Sequence, residues 1–465
     1  MKSKKILILV PDGVSLRNFL FTDFPKKAEA LGLEVVYWNA TSYNIVSEGY
    51  SEIKLKPEVR TITDLYKRAK IISELDHFQL KFQDPVYEKY KFPASKKGWK
   101  NKLKNLIVSR LSSTYSGEEG LQVLQKRMED SERKSAYYQN SKKTLEKECP
   151  DLVLCANQRP VNAIAPIIAA RDLGIPAGCF IFSWDNLPKA TKVIDADHYF
   201  VWSQYMQDEL QKYYPYIGKE QITISGSPQF EIHYKKDILQ SRDEFFRKNG
   251  LDSFKDYICY SGDDITTSPH DEIFLKDVAQ AVRILNQQGN NNIGIIFRRC
   301  PVDFSNRYED VLRKYSGEIT PIDPLWSGGD DSWDVAMPTK EDLILQTNIV
   351  QHCFMVINIA SSMVFDFAAR NKPCAYVNYV PEVKEGLKKD VREIYDYVHF
   401  RSMENKKAVH WINKKEEISS VIRQCQKENS NMLEICRSWQ NIINYQSDRA
   451  SLNLAKSILQ LIERS

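Results

Sequence analysis

Residues 353–378 read Cys-Phe-Met-Val-Ile-Asn-Ile-Ala-Ser-Ser-Met-Val-Phe-Asp-Phe-Ala-Ala-Arg-Asn-Lys-Pro-Cys-Ala-Tyr-Val-Asn, and this stretch decides the fold. The apolar run Phe354 to Ile357 predicts a buried strand, and Pro373 opens a second, Cys374 to Val377. Between them Ser361 and Ser362 stand where a helix should begin, with Asp366 one turn on. The first N–H groups of a helix lack intrahelical partners and sit at the positive end of its dipole, so they attract anions. Ser362 and Asp366 are four residues apart and share a helix face. A diphosphate at the serines and ribose hydroxyls on the carboxylate would suit that face. The same pattern also serves an ordinary βαβ unit with Ser as the N-cap.

Outward from this stretch the strand–helix–strand grammar repeats. Ile6 to Val10 predicts the first strand, Phe19 to Ala30 a helix stopped near Gly32, and Leu33 to Trp38 the second strand. Residues 56–148 are helical and charged. Strands follow at 151–156, 175–182, 198–202 and 221–225, with a small-residue helix over 163–173. Beyond Gly226-Ser227-Pro228 the grammar restarts with strands at 257–260 and 292–297, around a helix over 272–288. Residues 320–338 read as an ordered loop, residues 340–351 as a helix, and 415–428 and 430–463 as further helices. The expected fold is α/β, with two doubly wound Rossmann-like domains facing a central cleft. Residues 1–230 form the first, with a helical insertion over about 56–148. Residues 231–440 form the second, and 441–465 a helix packing back on the first.

A chain of 465 residues suits two domains. Its 42% hydrophobic and 27% charged content is that of a soluble globular protein, and the formal net charge of +4 gives no case for nucleic acid. No apolar run reaches the roughly 20 residues of a membrane-spanning helix, and the N-terminus reads as a strand rather than a signal peptide. The nine cysteines form no Cys-x-x-Cys pair, which suits buried thiols in a reducing cytoplasm, and the seven histidines show no metal spacing.

Several short motifs resemble those of GT-B-type bacterial surface-polysaccharide transferases, the group of CDP-glycerol glycerophosphotransferases and nucleotide-sugar transferases. They are Arg17-Asn18-Phe19-Leu20, Ser183-Trp184-Asp185-Asn186-Leu187, Gly226-Ser227-Pro228-Gln229-Phe230, Arg298-Arg299-Cys300-Pro301, and Asn358-x-x-Ser361-Ser362 through Pro373. Cys300 departs from the His of an Arg-x-His-Pro strand end. The resemblance implies a donor held mainly by the second domain, with no obligatory metal and no cofactor beyond the nucleotide-sugar substrate. It places phosphate on Ser361, Ser362 and Arg298, since Arg suits bidentate phosphate contact. Asp366 is the ribose candidate, though such enzymes carry Glu nearby. Asp263 and Thr266, in the polar loop 261–270 with Asp264 and Thr267, and His399 complete the donor set.

The first domain then holds the acceptor, through Arg17, Asn18 and Trp184, and supplies the general base. Asp12 follows the first strand directly; Asp185 and Asp23 are its rivals. Lys89 to Arg110 holds eight Lys or Arg with Trp99, and no Asp or Glu lies between Glu88 and Glu118. Residues 89–111 therefore suit an anionic membrane surface or a solvated helix face. The expectation is an inverting, metal-independent transferase in the cytoplasm, peripheral to the inner membrane face. It moves sugar from a nucleotide donor to a glycan or lipid-linked acceptor. A polyol-phosphate transferase, a nucleotide-sugar 2-epimerase and a non-catalytic GT-B-like scaffold are the alternatives.

Overall fold

Ile6 to Val10 have no exposed surface, so they must lie between layers. The computed structural model describes residues 3–91, 98–289, 291–327, 336–383, 386, 389–427 and 430–464. Two compact units emerge: Met1–Pro228 with Ile443–Ser465, and Gln229–Ile442.

The first unit is a seven-stranded sheet: β1 (Lys4–Val10), β2 (Leu33–Asn39), β3 (Ser51–Lys54), β4 (Leu152–Cys155), β5 (Ala177–Phe180), β6 (His198–Val201) and β7 (Ile222–Ile224). Its spatial order is β3-β2-β1-β4-β5-β6-β7, every pair parallel. Its helices begin with α1 (Leu16–Phe19) and α2 (Phe24–Ala30). The single helix expected over Phe19–Ala30 is thus broken in two. Pro25 lacks the N–H that a continuous helix would require, and is tolerated only in a first turn. Between β3 and β4 come α3 (Thr61–Phe82), α4 (Trp99–Thr114), α5 (Gly117–Glu132) and α6 (Ala136–Glu148), then α7 (Ile164–Asp172) and α8 (Gln204–Tyr213). Buried Leu65, Ala69, Val108 and Leu124 tie α3, α4 and α5 together. The closing helix Ala450–Arg464 packs on α2.

The second unit has six parallel strands: β8 (Asp256–Ser261), β9 (Ile293–Arg298), β10 (Ile319–Pro321), β11 (Cys353–Asn358), β12 (Cys374–Val377) and β13 (His410–Ile412), in the order β10-β9-β8-β11-β12-β13. Its helices are α9 (Arg242–Asn249), α10 (Asp271–Gln287), α11 (Glu309–Lys314), α12 (Lys340–His352), α13 (Met363–Ala368), α14 (Ile418–Gln426) and α15 (Ser430–Ile443). Strands β3, β10 and β13 have no counterpart in the sequence reading. All three are short edge strands, partly exposed, so they lack the buried apolar run that marks the others. Residues 92–97 of the basic segment and 328–335 of the loop at 320–338 lie outside the described residues.

Candidate functional site

In a doubly wound sheet, ligands gather at the carboxyl ends of two strands whose following loops run opposite ways. The second unit turns at β8 and β11. The chain steps from β8 outward to β9 and β10, then returns across β8 to begin β11. Ser261 pairs with Arg298, and Tyr260 with Ile357, so Arg298, Ser261 and Asn358 end three neighbouring strands at one level. Two strand spacings put the backbones of Arg298 and Asn358 about 10 Å apart.

Arg298 is buried, and its Nη2 donates to both oxygens of Asp342, at 2.9 and 2.8 Å. Asp342 also accepts from the Leu325 amide (2.7 Å) and Trp326 Nε1 (2.6 Å). Arg298 Nη1 is enclosed and has no hydrogen-bond partner among the described residues. An anchored guanidinium with a spare donor is what an incoming anion requires.

The loop after β8 is largely tied to itself. Asp264 accepts from the amides of Thr266 (2.8 Å) and Thr267 (3.0 Å) and from the Thr267 hydroxyl (2.8 Å), while Thr266 Oγ1 also turns to it. Thr266 is therefore a turn former here rather than an open ligand. Burial, then the Asp264 and Asp271 charges, push the Asp263 carboxyl well above its ordinary range. Behind it burial raises Asp271 to about 6, against bonds from Tyr308 and Tyr260.

After β11, Ala360 takes a left-handed φ of 54°, and the Ser361 amide donates to Asn358 Oδ1 at 3.0 Å. The Ser361 hydroxyl accepts from the Met363 amide, and Ser362 is the exposed N-cap of α13. The Ser361 amide is thus already used, and the helix is only six residues long. Asp366 departs further from expectation. It points inward, accepting from His233 Nε2 at 2.7 Å and Gln346 Nε2 at 3.0 Å, and is buried. A carboxylate with both oxygens spent inside the unit does not present itself to a ribose. His233 Nδ1 has no partner among the described residues. His399 is buried against Phe400, 4.6 Å between ring centroids, and reads as packing.

The first unit turns at β1 and β4. Asp12 lies at that point, directly after β1. It accepts from the Ser15 amide (3.2 Å) and hydroxyl (2.6 Å) and, on its other oxygen, from Asn157 Nδ2 (2.7 Å) of the loop after β4. The sequence-predicted rivals are placed otherwise. Asp185 is ion-paired with Lys189 and accepts from Asn186, which weakens its case as a base. Asp23 sits at the N-cap of α2 without a side-chain capping bond. Trp184 is buried and cannot serve as an open stacking platform. Asn18 is buried and accepts from the Ser227 hydroxyl at 3.0 Å, an internal tie rather than an acceptor contact. Arg17 is half-buried on α1.

Four functional candidates escaped the sequence. Asp342 lies 44 residues from Arg298, His233 and Gln346 are 133 and 20 residues from Asp366, and Glu209 of α8 stands near Asp185. Glu209 is buried, with neither oxygen bonded among the described residues. Burial, opposed by Lys212, raises it from 4.5 to about 8. The folded chain therefore holds this proton more tightly than the unfolded chain. Its contribution to stability is full below about pH 4.5 and is lost as pH rises toward 8. Glu209→Gln should remove that loss, so melting curves of variant and parent should diverge in the variant's favour between pH 5 and 8.

No family model matches the chain, and no curated protein does. Solved structures do. A co-structure of MnaA of S. aureus with UDP superposes with a TM-score of 0.54 over 99% of this chain and 97% of its own, at 12% identity. A glycosyltransferase of Rickettsia africae gives 0.52 over 100% of both chains, at 10% identity. A UDP-GlcNAc 2-epimerase of Methanocaldococcus jannaschii gives 0.51 over 99% and 100%, at 13% identity. The chain has the GT-B fold. At these identities the likeness extends to the fold alone. Among the described residues no group of three His, Cys, Asp or Glu side chains is arranged to hold a metal ion.

Proposed function

We propose that the chain is a nucleotide-sugar-dependent glycosyltransferase, inverting and metal-independent, acting in bacterial surface-polysaccharide synthesis. The observation that carries this reading is Arg298, fixed by Asp342 at the carboxyl edge of the second unit with Nη1 unbonded. That nitrogen takes a donor phosphate oxygen and spreads the charge of the leaving diphosphate. Ser362 and the loop after β8 flank it. The acceptor oxygen attacks the anomeric carbon, the bond from that carbon to the diphosphate breaks, and the acceptor proton passes to the base. Asp12 is that base: the Ser15 and Asn157 groups that hold its oxygens are neutral donors that an acceptor hydroxyl can displace, whereas Asp185 is held by the Lys189 ammonium. The UDP and UDP-GlcNAc named with the structural neighbours favour a uridine donor.

A second reading, a nucleotide-sugar 2-epimerase, draws on the His233–Asp366 pair, a His–carboxylate couple suited to proton transfer, and on the name of the Methanocaldococcus jannaschii neighbour. A thermal-shift panel of UDP, CDP, GDP and ADP tests the shared part: one nucleotide should raise the melting temperature, and no shift with any contradicts both readings. Incubation with the matching nucleotide sugar then separates them. Nucleoside diphosphate released as sugar is transferred or hydrolysed supports the transferase. A new sugar epimer with the nucleotide intact supports the epimerase, and nucleoside monophosphate released from a nucleoside diphosphate-polyol given in place of the sugar points to polyol-phosphate transfer.

A further inference from the structure

Helix α4 carries apolar side chains on two faces, one packed and one exposed. Its inner face is set by Val108, which is buried, and by Ile107 and Leu111, packed against α3 and α5. On the opposite face Trp99, Leu103 and Leu106, at spacings of four and three, are 71%, 48% and 67% exposed. Arg110 continues that stripe, and Lys100 and Lys102 flank it. The helix carries no acidic residue at all, and Lys100, Lys102, Lys104 and Arg110 make no ion pair among the described residues. Three exposed, uncompensated cations, Lys100, Lys102 and Arg110, around three exposed apolar side chains are a pairing that water does not stabilise. We propose that this face docks on an anionic lipid surface, with Trp99, Leu103 and Leu106 entering the headgroup–acyl boundary and the cations meeting lipid phosphates.

The charge pattern decides between occupants. A second copy of this chain docking through the same face would oppose Lys100 and Lys102 to their own counterparts, whereas anionic lipid complements them. No helix among the described residues is long and apolar enough to cross a membrane, so the contact is with the surface of the bilayer.

The test is co-sedimentation of the full chain with vesicles of phosphatidylcholine, alone or mixed with phosphatidylglycerol. The parent should pellet with the mixed vesicles at low salt, stay in solution with phosphatidylcholine alone, and be released as salt rises. Each cation removed should weaken partitioning about fivefold, so Lys100→Gln with Lys102→Gln should cost about 25-fold. Trp99→Ser with Leu106→Ser should weaken it by at least tenfold. Both pairs are exposed and should leave the melting temperature unchanged. The proposal is overturned if the parent fails to pellet with mixed vesicles at low salt. It is also overturned if the lysine variant pellets as the parent does, or if light scattering shows a dimer that the Trp99–Leu106 variant abolishes.

Discussion

Asp342→Ala is expected to destabilise the second unit by about 3–5 kcal/mol, the range for breaking a buried ion pair by removing one partner. Three donors converge on this carboxylate: Arg298 Nη2, shared between its two oxygens, the Leu325 amide and Trp326 Nε1. Removal leaves a guanidinium in a closed site with neither terminal nitrogen neutralised. It also frees the segment around Leu325 and Trp326, which Asp342 fastens to α12. Asp342→Asn separates charge from shape. It keeps an acceptor oxygen and most of the volume, so it should recover part of the stability while leaving the guanidinium uncompensated. Equilibrium urea unfolding, followed by tryptophan fluorescence, measures both. A loss below about 1 kcal/mol for the alanine variant, a surface-pair value, would mean that the pair is not the anchor described.

Asp12→Asn is expected to lower kcat by about 10²–10⁴-fold, the usual contribution of a positioned general base, with nucleoside diphosphate affinity unchanged. The substitution is nearly isosteric. The amide oxygen can still accept from the Ser15 amide, so the cap of the Gly13–Ser15 turn survives. What disappears is the negative oxygen. Asn157 Nδ2 would then face either the amide's oxygen or its nitrogen, according to how the new side chain turns. Steady-state kinetics with the nucleotide sugar identified by the panel check this. An unchanged kcat assigns Asp12 to capping alone and returns the role of base to Asp185, the half-exposed carboxylate after β5.

How much was legible depended on how local each feature is. The buried parallel strands declare themselves as continuous apolar runs: Ile6 to Val10, Leu152 to Cys155 and Phe354 to Ile357 need no tertiary context. The loops at their ends, which contain Asp12 and Ser361–Ser362, were legible for the same reason, as was Arg298 at the end of the apolar run of β9. What those side chains touch was not. Asp366 has the spacing of a ligand-facing residue on α13, yet α13 is buried along its length and turns the carboxylate toward His233, which lies before α9. Trp184 and Asn18 sit in motifs that resemble acceptor-binding elements, but packing encloses both. Asp342 is simply one more acid in the first turn of a helix capped by Thr339. Only the return of the chain from β10 to β11 brings it to Arg298. Partner choice across such separations is a property of the fold and leaves no mark in residue spacing.

In the proposed reaction Arg298 offers its spare donor to a nucleotide phosphate. Titration calorimetry of the parent and of Arg298→Lys with the stabilising nucleoside diphosphate tests it most directly. Lysine retains a cation for Asp342 but loses the fork that allows one side chain to bind the carboxylate and a phosphate together. Affinity should fall about 10- to 100-fold, the loss of one or two charge-assisted hydrogen bonds. Equal affinity in parent and variant, or no binding by the parent, would contradict the account.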